Sequence, residues 1–143
     1  MVKKVKSEEL HIAAELAACV WGGSKEEILE ELKAVIGNKD VAFFLKYAQG
    51  IPVGFAQCKL RHDYVEGTSS SPVGYLEGIL VKEEYRKLGY ARELLTACEQ
   101  WAKEQGCREF ASDCELSNSE SLSFHLKMDF TEANRIICFT KNL

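Results

Sequence analysis

Basic residues are not in surplus: 18 Lys and Arg stand against 22 Asp and Glu, a net charge of −4. Proteins held to nucleic acid by phosphate contacts carry a basic excess, so a polymeric polyanion is excluded as the main partner. A local basic patch for a small phosphate ligand is not. No apolar run approaches the ~20 residues of a membrane helix. The opening Met1-Val2-Lys3-Lys4-Val5-Lys6 lacks the apolar core of a signal peptide. No internal repeat, low-complexity tract or Pro/Ser/Gly linker interrupts the chain, and Glu66 to Pro72 is a loop. No GxGxxG or Walker A pattern is present, which excludes the Rossmann and P-loop readings. No CxxC is present either, since the closest cysteines, Cys107 and Cys114, are seven positions apart. The six cysteines, Cys19, Cys58, Cys98, Cys107, Cys114 and Cys138, are expected to be reduced and structural, without metal or disulfide. These absences leave one cytoplasmic domain, residues 1–143, large enough for a real core.

The patterning predicts mixed elements. Ser7 to Val20 reads as a helix capped by Ser7, with Leu10, Ala13, Ala14 and Ala17 on one face. Ser24 caps a second helix through Ile36, with Gly37-Asn38 after it. Val41–Tyr47 and Pro52–Leu60 form a hairpin around Gln49-Gly50. Val73–Val81 is almost continuously apolar, as a central strand covered on both faces would be. A long helix covers 89–105, a short strand 109–113, a last helix 118–128 and a last strand 136–140. A strand, a helix and a neighbouring strand make a crossover, so two strands run parallel while the rest are antiparallel. The class is α+β with a mixed sheet.

Between the central strand and the long helix lies Tyr85-Arg86-Lys87-Leu88-Gly89-Tyr90-Ala91. A turn there aims backbone N–H groups at one spot, at the positive end of a helix dipole. Small residues at Gly89 and Ala91 admit an anion, and Arg86 and Lys87 add charge. The segment is either a pyrophosphate site or a helix start with Gly89 used for packing.

Arg86-x-x-Gly89-x-Ala91 resembles the acetyl-CoA loop of the GNAT N-acetyltransferases, and the element order fits that fold over essentially the whole chain. Tyr64-Val65-x-Gly67-Thr68-x-x-Ser71 followed by Pro72 through Ile79 is similar to the aminoglycoside 6′-N-acetyltransferases. So are Glu109-Phe110-Ala111-Ser112-Asp113 and Trp21. The resemblance implies a mixed, mostly antiparallel sheet splayed at the central parallel pair, with helices on both faces. It implies acetyl-CoA as cofactor, with pantetheine along Ile79, Leu80 and Val81. Arg86, Lys87, Leu88, Gly89, Tyr90 and Ala91 would hold the pyrophosphate, and Asn118 would touch coenzyme A while also capping a helix.

The amine acceptor must lose a proton before it attacks a thioester. Glu77, beside the reacting centre and flanked by apolar residues, is expected to take that proton; otherwise it is a buried Glu paired with an Arg or Lys. Asp113 is expected to contact the acceptor, or else to cap the segment after it. Trp21 and Tyr64 would wall the cleft. Ser24 and Asn134 are further acceptor contacts in the resemblance, although Asn134 stands where an acidic residue is usual. Asp63, Glu66 and Glu115 would add negative potential for a polycation, and Glu132 lies with Asn134 where the resemblance implies an acidic contact to substrate. His125 stands where many GNAT enzymes carry a Tyr that protonates the leaving thiolate, so it is either that acid or a structural histidine.

The function implied is direct acetyl transfer to the 6′-amine of an aminoglycoside, with no acyl-enzyme and with a homodimer as the working form. Acetylation of a polyamine or another small metabolite amine, and a non-catalytic acetyl-CoA-binding module, are the rival readings.

Overall fold

Strands follow one another in space as they do in sequence. The fold was obtained as a computed structural model describing residues 1–143. β1 (Val2–Lys4), β2 (Val41–Ala48), β3 (Ile51–Arg61), β4 (Val73–Val81) and β5 (Phe110–Ala111) form one sheet in that order. The first three pairings are antiparallel, and β4 with β5 is parallel. α1 (Leu10–Trp21) and α2 (Lys25–Ile36) cover one face, over Phe43, Leu45, Phe55 and Leu80. α3 (Tyr90–Glu104) covers the other, over Phe44, Ala56, Cys58 and Leu76, with α4 (Ser119–Lys127) at its margin. The expected class and the crossover through α3 are therefore observed.

Local chemistry explains most boundaries. Gln49 and Gly50 have φ of 51° and 78°, the mirror-image turn that matches the twist of a two-residue hairpin. The Ser24 hydroxyl accepts the Glu27 N–H at 3.3 Å and starts α2 as expected. The first helix begins later than expected. Ser7–Glu9 form a 3-10 turn, closed by the Glu9 carboxylate accepting the Lys6 N–H at 3.0 Å, and Ser7 caps nothing. Lys46 is a buried charge: its ammonium pairs with Glu93 of α3 and lies 4.5 Å from the Tyr90 ring centroid. Burial is the largest single influence and works against that ammonium, but hydrogen bonding to Glu93 and the chain N-terminus, together with the Glu93 and Tyr90 charges, outweighs it and raises its pKa. The pair fastens the first turns of α3 to β2.

One irregularity in β4 positions the site. Gln57 pairs with Gly78, but Cys58 pairs with Leu76, so Glu77 has no partner on β3. This is a β-bulge, with one extra residue on β4. Before it, Tyr75 and Glu77 share a face; after it, Gly78 and Leu80 lie on that same face. Glu77 and Gly78 are thus presented together on the α1/α2 side.

β4 is the fourth strand of five, and only Gly74 and Tyr75 pair with β5. The expected strand over 109–113 is reduced to Phe110–Ala111, so the sheet splits after Tyr75. The expected last strand, Ile136–Thr140, does not form: residues 129–143 carry no helix or strand, and Ile136, Ile137 and Phe139 are 69%, 81% and 87% exposed. A strand needs a neighbour for its backbone groups, and a two-residue β5 supplies almost none.

Gly74 marks where the two strands and α3 meet most closely. A Cβ there would lie 2.6 Å from both the Ala102 Cβ and the Phe110 Cδ2. Gly74→Ala is expected to destabilise the chain by about 1–3 kcal/mol through overpacking. Urea unfolding should show a lower midpoint with an unchanged slope.

Candidate active site

The split leaves the outer edge of β4 without a partner from Leu76 to Val81. The Lys82 N–H donates to Val53 O at 2.9 Å, so the backbone at Lys82 points toward β3. Backbone direction alternates along a strand. Ile79 and Val81 therefore aim their N–H and C=O groups at the open edge. Leu80 faces β3 instead, pairs with Phe55 and is buried under α1 and α2, so only its packing serves the edge. Just beyond lies the start of α3. Lys87 and Gly89 have φ of 62° and 82°, and nothing lies within 4 Å of where a Gly89 Cβ would stand. The first N–H groups of α3 have no helical acceptor. Together with the Lys87 charge they form an open anion cradle at a helix N-terminus. Arg86 is turned away: its Nε donates to Val81 O at 3.1 Å. It joins the cradle to the end of β4 rather than adding a free charge.

The other half of the site lies on the α1/α2 face. Trp21, at the end of α1, packs edge-on against Phe55 with centroids 6.5 Å apart and remains 56% exposed. Its ring covers Gly78, where a Cβ would meet Trp21 Cη2 at 2.9 Å. Beside it, Glu77 is held by cations from β3. Arg61 Nη2 and Nε donate to Oε1 at 3.0 and 3.2 Å, and Nη2 reaches Oε2 at 3.3 Å. Lys59 Nζ lies 3.6 Å from Oε1. The expected apolar setting of Glu77 is therefore not what the structure shows: it is paired with Arg61 and Lys59, as in the alternative, but it is not buried. The Arg61 guanidinium carbon lies 3.4 Å from the Tyr75 ring centroid, and the Tyr75 hydroxyl donates to Asp113 Oδ2. Burial first, and then the bond to Asp113, push the phenol far above its ordinary pKa. It stays protonated and donates. Asp113 is thus spoken for by a tyrosine rather than by a helix cap.

The remaining expected residues fall into place unevenly. Tyr64 is 76% exposed on the loop after β3, near Asp63 and Glu66 in sequence. The Ser24 hydroxyl is committed to its helix cap and to the Glu26 carboxylate at 3.1 Å. Asn118 caps α4, accepting the Ser121 N–H at 3.1 Å. Asn134 Nδ2 donates to Glu66 Oε1 at 3.1 Å, and Glu132 pairs with Arg135. Glu115 is exposed. His125 Nδ1 lies 2.7 Å from Ser121 O, which can only accept, so Nδ1 carries a hydrogen. Its Nε2 lies 2.8 Å from Ser112 Oγ, and that hydroxyl is 3.4 Å from Leu76 O at the split. Arg61, Lys59, Tyr75 and Ser112 had no assigned role in the sequence reading. For Lys59 and Arg61 the one sequence signal was alternation with buried Cys58 and Leu60 on β3, while Tyr75 and Ser112 lay inside the quoted motif blocks without a role.

Three comparisons bear on this geometry. A model of the acetyltransferase (GNAT) family matches residues 10–130. The chain is 38% identical over 130 residues to an aminoglycoside N(6′)-acetyltransferase type 1 of Serratia marcescens, covering 90% of this chain and 89% of that protein. A solved structure of AAC(6′)-Iy with the bisubstrate analogue CoA-S-monomethyl-acetylneamine superposes with a TM-score of 0.93 at 33% identity, over 100% of this chain and 98% of that one. The aminoglycoside 6′-N-acetyltransferase AAC(6′)-Ih of Acinetobacter baumannii gives 0.94 at 33% identity, over 100% and 98%.

The Tyr75–Asp113 contact is open to direct measurement. Tyr75 is expected to ionise well above the ordinary tyrosine range in an alkaline absorbance titration. Asp113→Ala removes both the acceptor and its charge, so the Tyr75 step should move to lower pH. A titration curve identical to wild type would refute the contact. Because the folded phenol holds its proton longer than the unfolded one, this group's stabilising contribution is complete below the unfolded tyrosine pKa and is lost as pH rises above it.

Proposed function

The chain belongs to the acetyltransferase (GNAT) family, and on that premise we propose that it transfers acetyl from acetyl-CoA to the 6′-amine of an aminoglycoside. The single observation that carries the reading is the split between β4 and β5, with an anion cradle at one end and two carboxylates at the other. The residues present fit the donor. Backbone groups of Ile79 and Val81 extend the open edge and bind pantetheine as an added strand. Lys87 through Ala91 hold the pyrophosphate, with Arg86 bracing the turn and Asn118, at the start of α4, touching coenzyme A. When bound, acetyl-CoA supplies an activated thioester.

On the acceptor side, Trp21 and Tyr64 offer aromatic faces to sugar rings and to ammonium groups. Asp113 and Glu77 attract the cation, joined by Asp63, Glu66 and Glu115 on the rim. Asn134 lies against Glu66 and touches the same rim. Glu77 then accepts the proton that the amine must lose, directly or through one water, so attack occurs in a ternary complex. His125 reaches the split only through the Ser112 hydroxyl. With His125 as the imidazolium, Nε2 would pass its proton to the Ser112 oxygen as the Ser112 hydroxyl proton moves to the leaving thiolate, leaving neutral His125 with its hydrogen on Nδ1. Cys58, Cys98 and Cys107 are buried, and the hydrogen bond with Cys58, then burial, raises the Cys98 thiol well above its ordinary pKa, so none of these three serves as a nucleophile.

Residues 1–143 work as one domain and pair with a second copy. The exposed, apolar 136–139 segment and the open outer edge of β5 support that pairing. All six thiols are free, and free thiols with an acetyl-CoA donor suit the cytoplasm. No helix is long and apolar enough to cross a membrane.

Acetyl-transfer assays across aminoglycosides with and without the 6′-amine test the reaction. Activity should require that amine, and equal turnover without it overturns the regiochemistry. Better kcat/KM on polyamines would overturn the substrate class. Glu77→Gln should lower kcat/KM by about 100-fold or more while acetyl-CoA still binds; a small loss would remove Glu77 as the base. Sedimentation should show a dimer, and Ile137→Asp with Phe139→Asp should convert it to monomer.

A further inference from the structure

We propose that Arg61 is a positioning residue of the acceptor site, fixing which oxygen of Glu77 faces the amine and tying Glu77 to Asp113. The inference rests on the acetyl-transfer reading above. Glu77 occupies the bulge of β4 and has no cross-strand partner to fix it. Its carboxylate orientation is set from β3. Arg61, opposite Val73, reaches along the sheet face and places two donors on Oε1, at 3.0 and 3.2 Å. Lys59 also faces Oε1, but at 3.6 Å it acts as a charge, not a clamp. Oε2 has the one longer contact, 3.3 Å. Oε2 is therefore the oxygen left to accept a proton, and Oε1 is the one that is held.

The same guanidinium sits over the Tyr75 ring, its central carbon 3.4 Å from the centroid. A planar cation on an aromatic face is attracted to it and orders it. The Tyr75 hydroxyl in turn donates to Asp113. Arg61 thus connects the two carboxylates that face the acceptor, although they sit on opposite sides of the split. Lysine cannot reproduce this. It keeps the charge but lacks the fork that meets Oε1 twice and the planar group that sits over the ring.

The test is steady-state kinetics on an aminoglycoside bearing the 6′-amine, with Arg61→Gln, Arg61→Lys, Glu77→Gln and the Arg61→Gln/Glu77→Gln double variant. Misplacement of a catalytic group by about 1 Å costs up to about 100-fold, so Arg61→Gln should lower kcat by about 10- to 100-fold. The KM for acetyl-CoA and acetyl-CoA binding should be unchanged. Arg61→Lys should recover only part of the loss. In the Glu77→Gln background, Arg61→Gln should cost little more, because both changes remove one unit. Wild-type kcat in Arg61→Gln, full activity in Arg61→Lys, or losses that multiply in the double variant would each overturn the proposal. If Arg61→Gln fails to fold, Arg61→Lys alone decides it. A wild-type chain that acetylates no aminoglycoside would instead overturn the functional reading, and this inference with it.

Discussion

One extra residue in β4 sets the rest of the site. A regular strand would send Glu77 and Gly78 to opposite faces. The bulge at Glu77 brings both to the α1/α2 side. Gly78 can then lie beneath the Trp21 ring, because it has no side chain to collide with it. Glu77 stands beside that ring, on a face where β3 offers Lys59 and Arg61. Beyond the bulge the strand returns to register, so Leu80 re-enters the core under α1. The two apolar clusters remain intact on either side of a polar strip. The structure accommodates a carboxylate mid-strand without opening a hole in its core.

The split is the complement of the bulge. β5 pairs with β4 only at Gly74 and Tyr75. Unpaired strand edges are a liability that folds usually cover. Here the open stretch is short and flanked by the α3 cradle, so it suits a ligand better than another strand. The charge is divided along this line. Lys87 and the α3 N-terminus favour an anion at one end. Asp63, Glu66, Glu77 and Asp113 favour a cation at the other. Arg61 and Lys59 stand within the acidic end and keep its carboxylates from repelling one another. The net charge of −4 describes neither end.

What was legible in the sequence was local. The Ser24 cap, the Gln49-Gly50 turn, the limits of β4 and the α3 start each depend on residues next to one another, and each formed as read. The resemblance singled out Glu77 and Asp113 as candidates. The contacts of those residues were not legible. That Arg61 meets Glu77 depends on strand register and on the bulge, neither of which leaves a local pattern. The apolar flanks of Glu77 suggested a dry setting, but Leu76 and Ile79 pack on the α3 side and Gly78 has no side chain to cover the carboxylate. The segment 136–140 had strand composition, and composition cannot supply the partner a strand requires. β5 was too long in the reading for the same reason.

The unformed last strand and the acceptor cleft are physically linked. The arm leaves α4 and crosses the loop after β3 before it reaches its apolar tip. Ala133 packs so closely on that loop that a Cβ at Gly67 would lie 2.5 Å from its own, and Asn134 bonds Glu66. Gly67 also has φ of 80°, so side chains are disfavoured there on two counts. The root of the arm is therefore part of the wall that carries Tyr64 and Glu66. Its tip, with Ile136, Ile137 and Phe139 in water, gains most by burial against another surface. In the proposed pair, whatever covers the tip also holds the root. Ordering of the acceptor rim and association of two copies then draw on the same fifteen-residue segment, 129–143. The acetyl-CoA edge, on β4 and α3, lies outside that segment and depends on it far less.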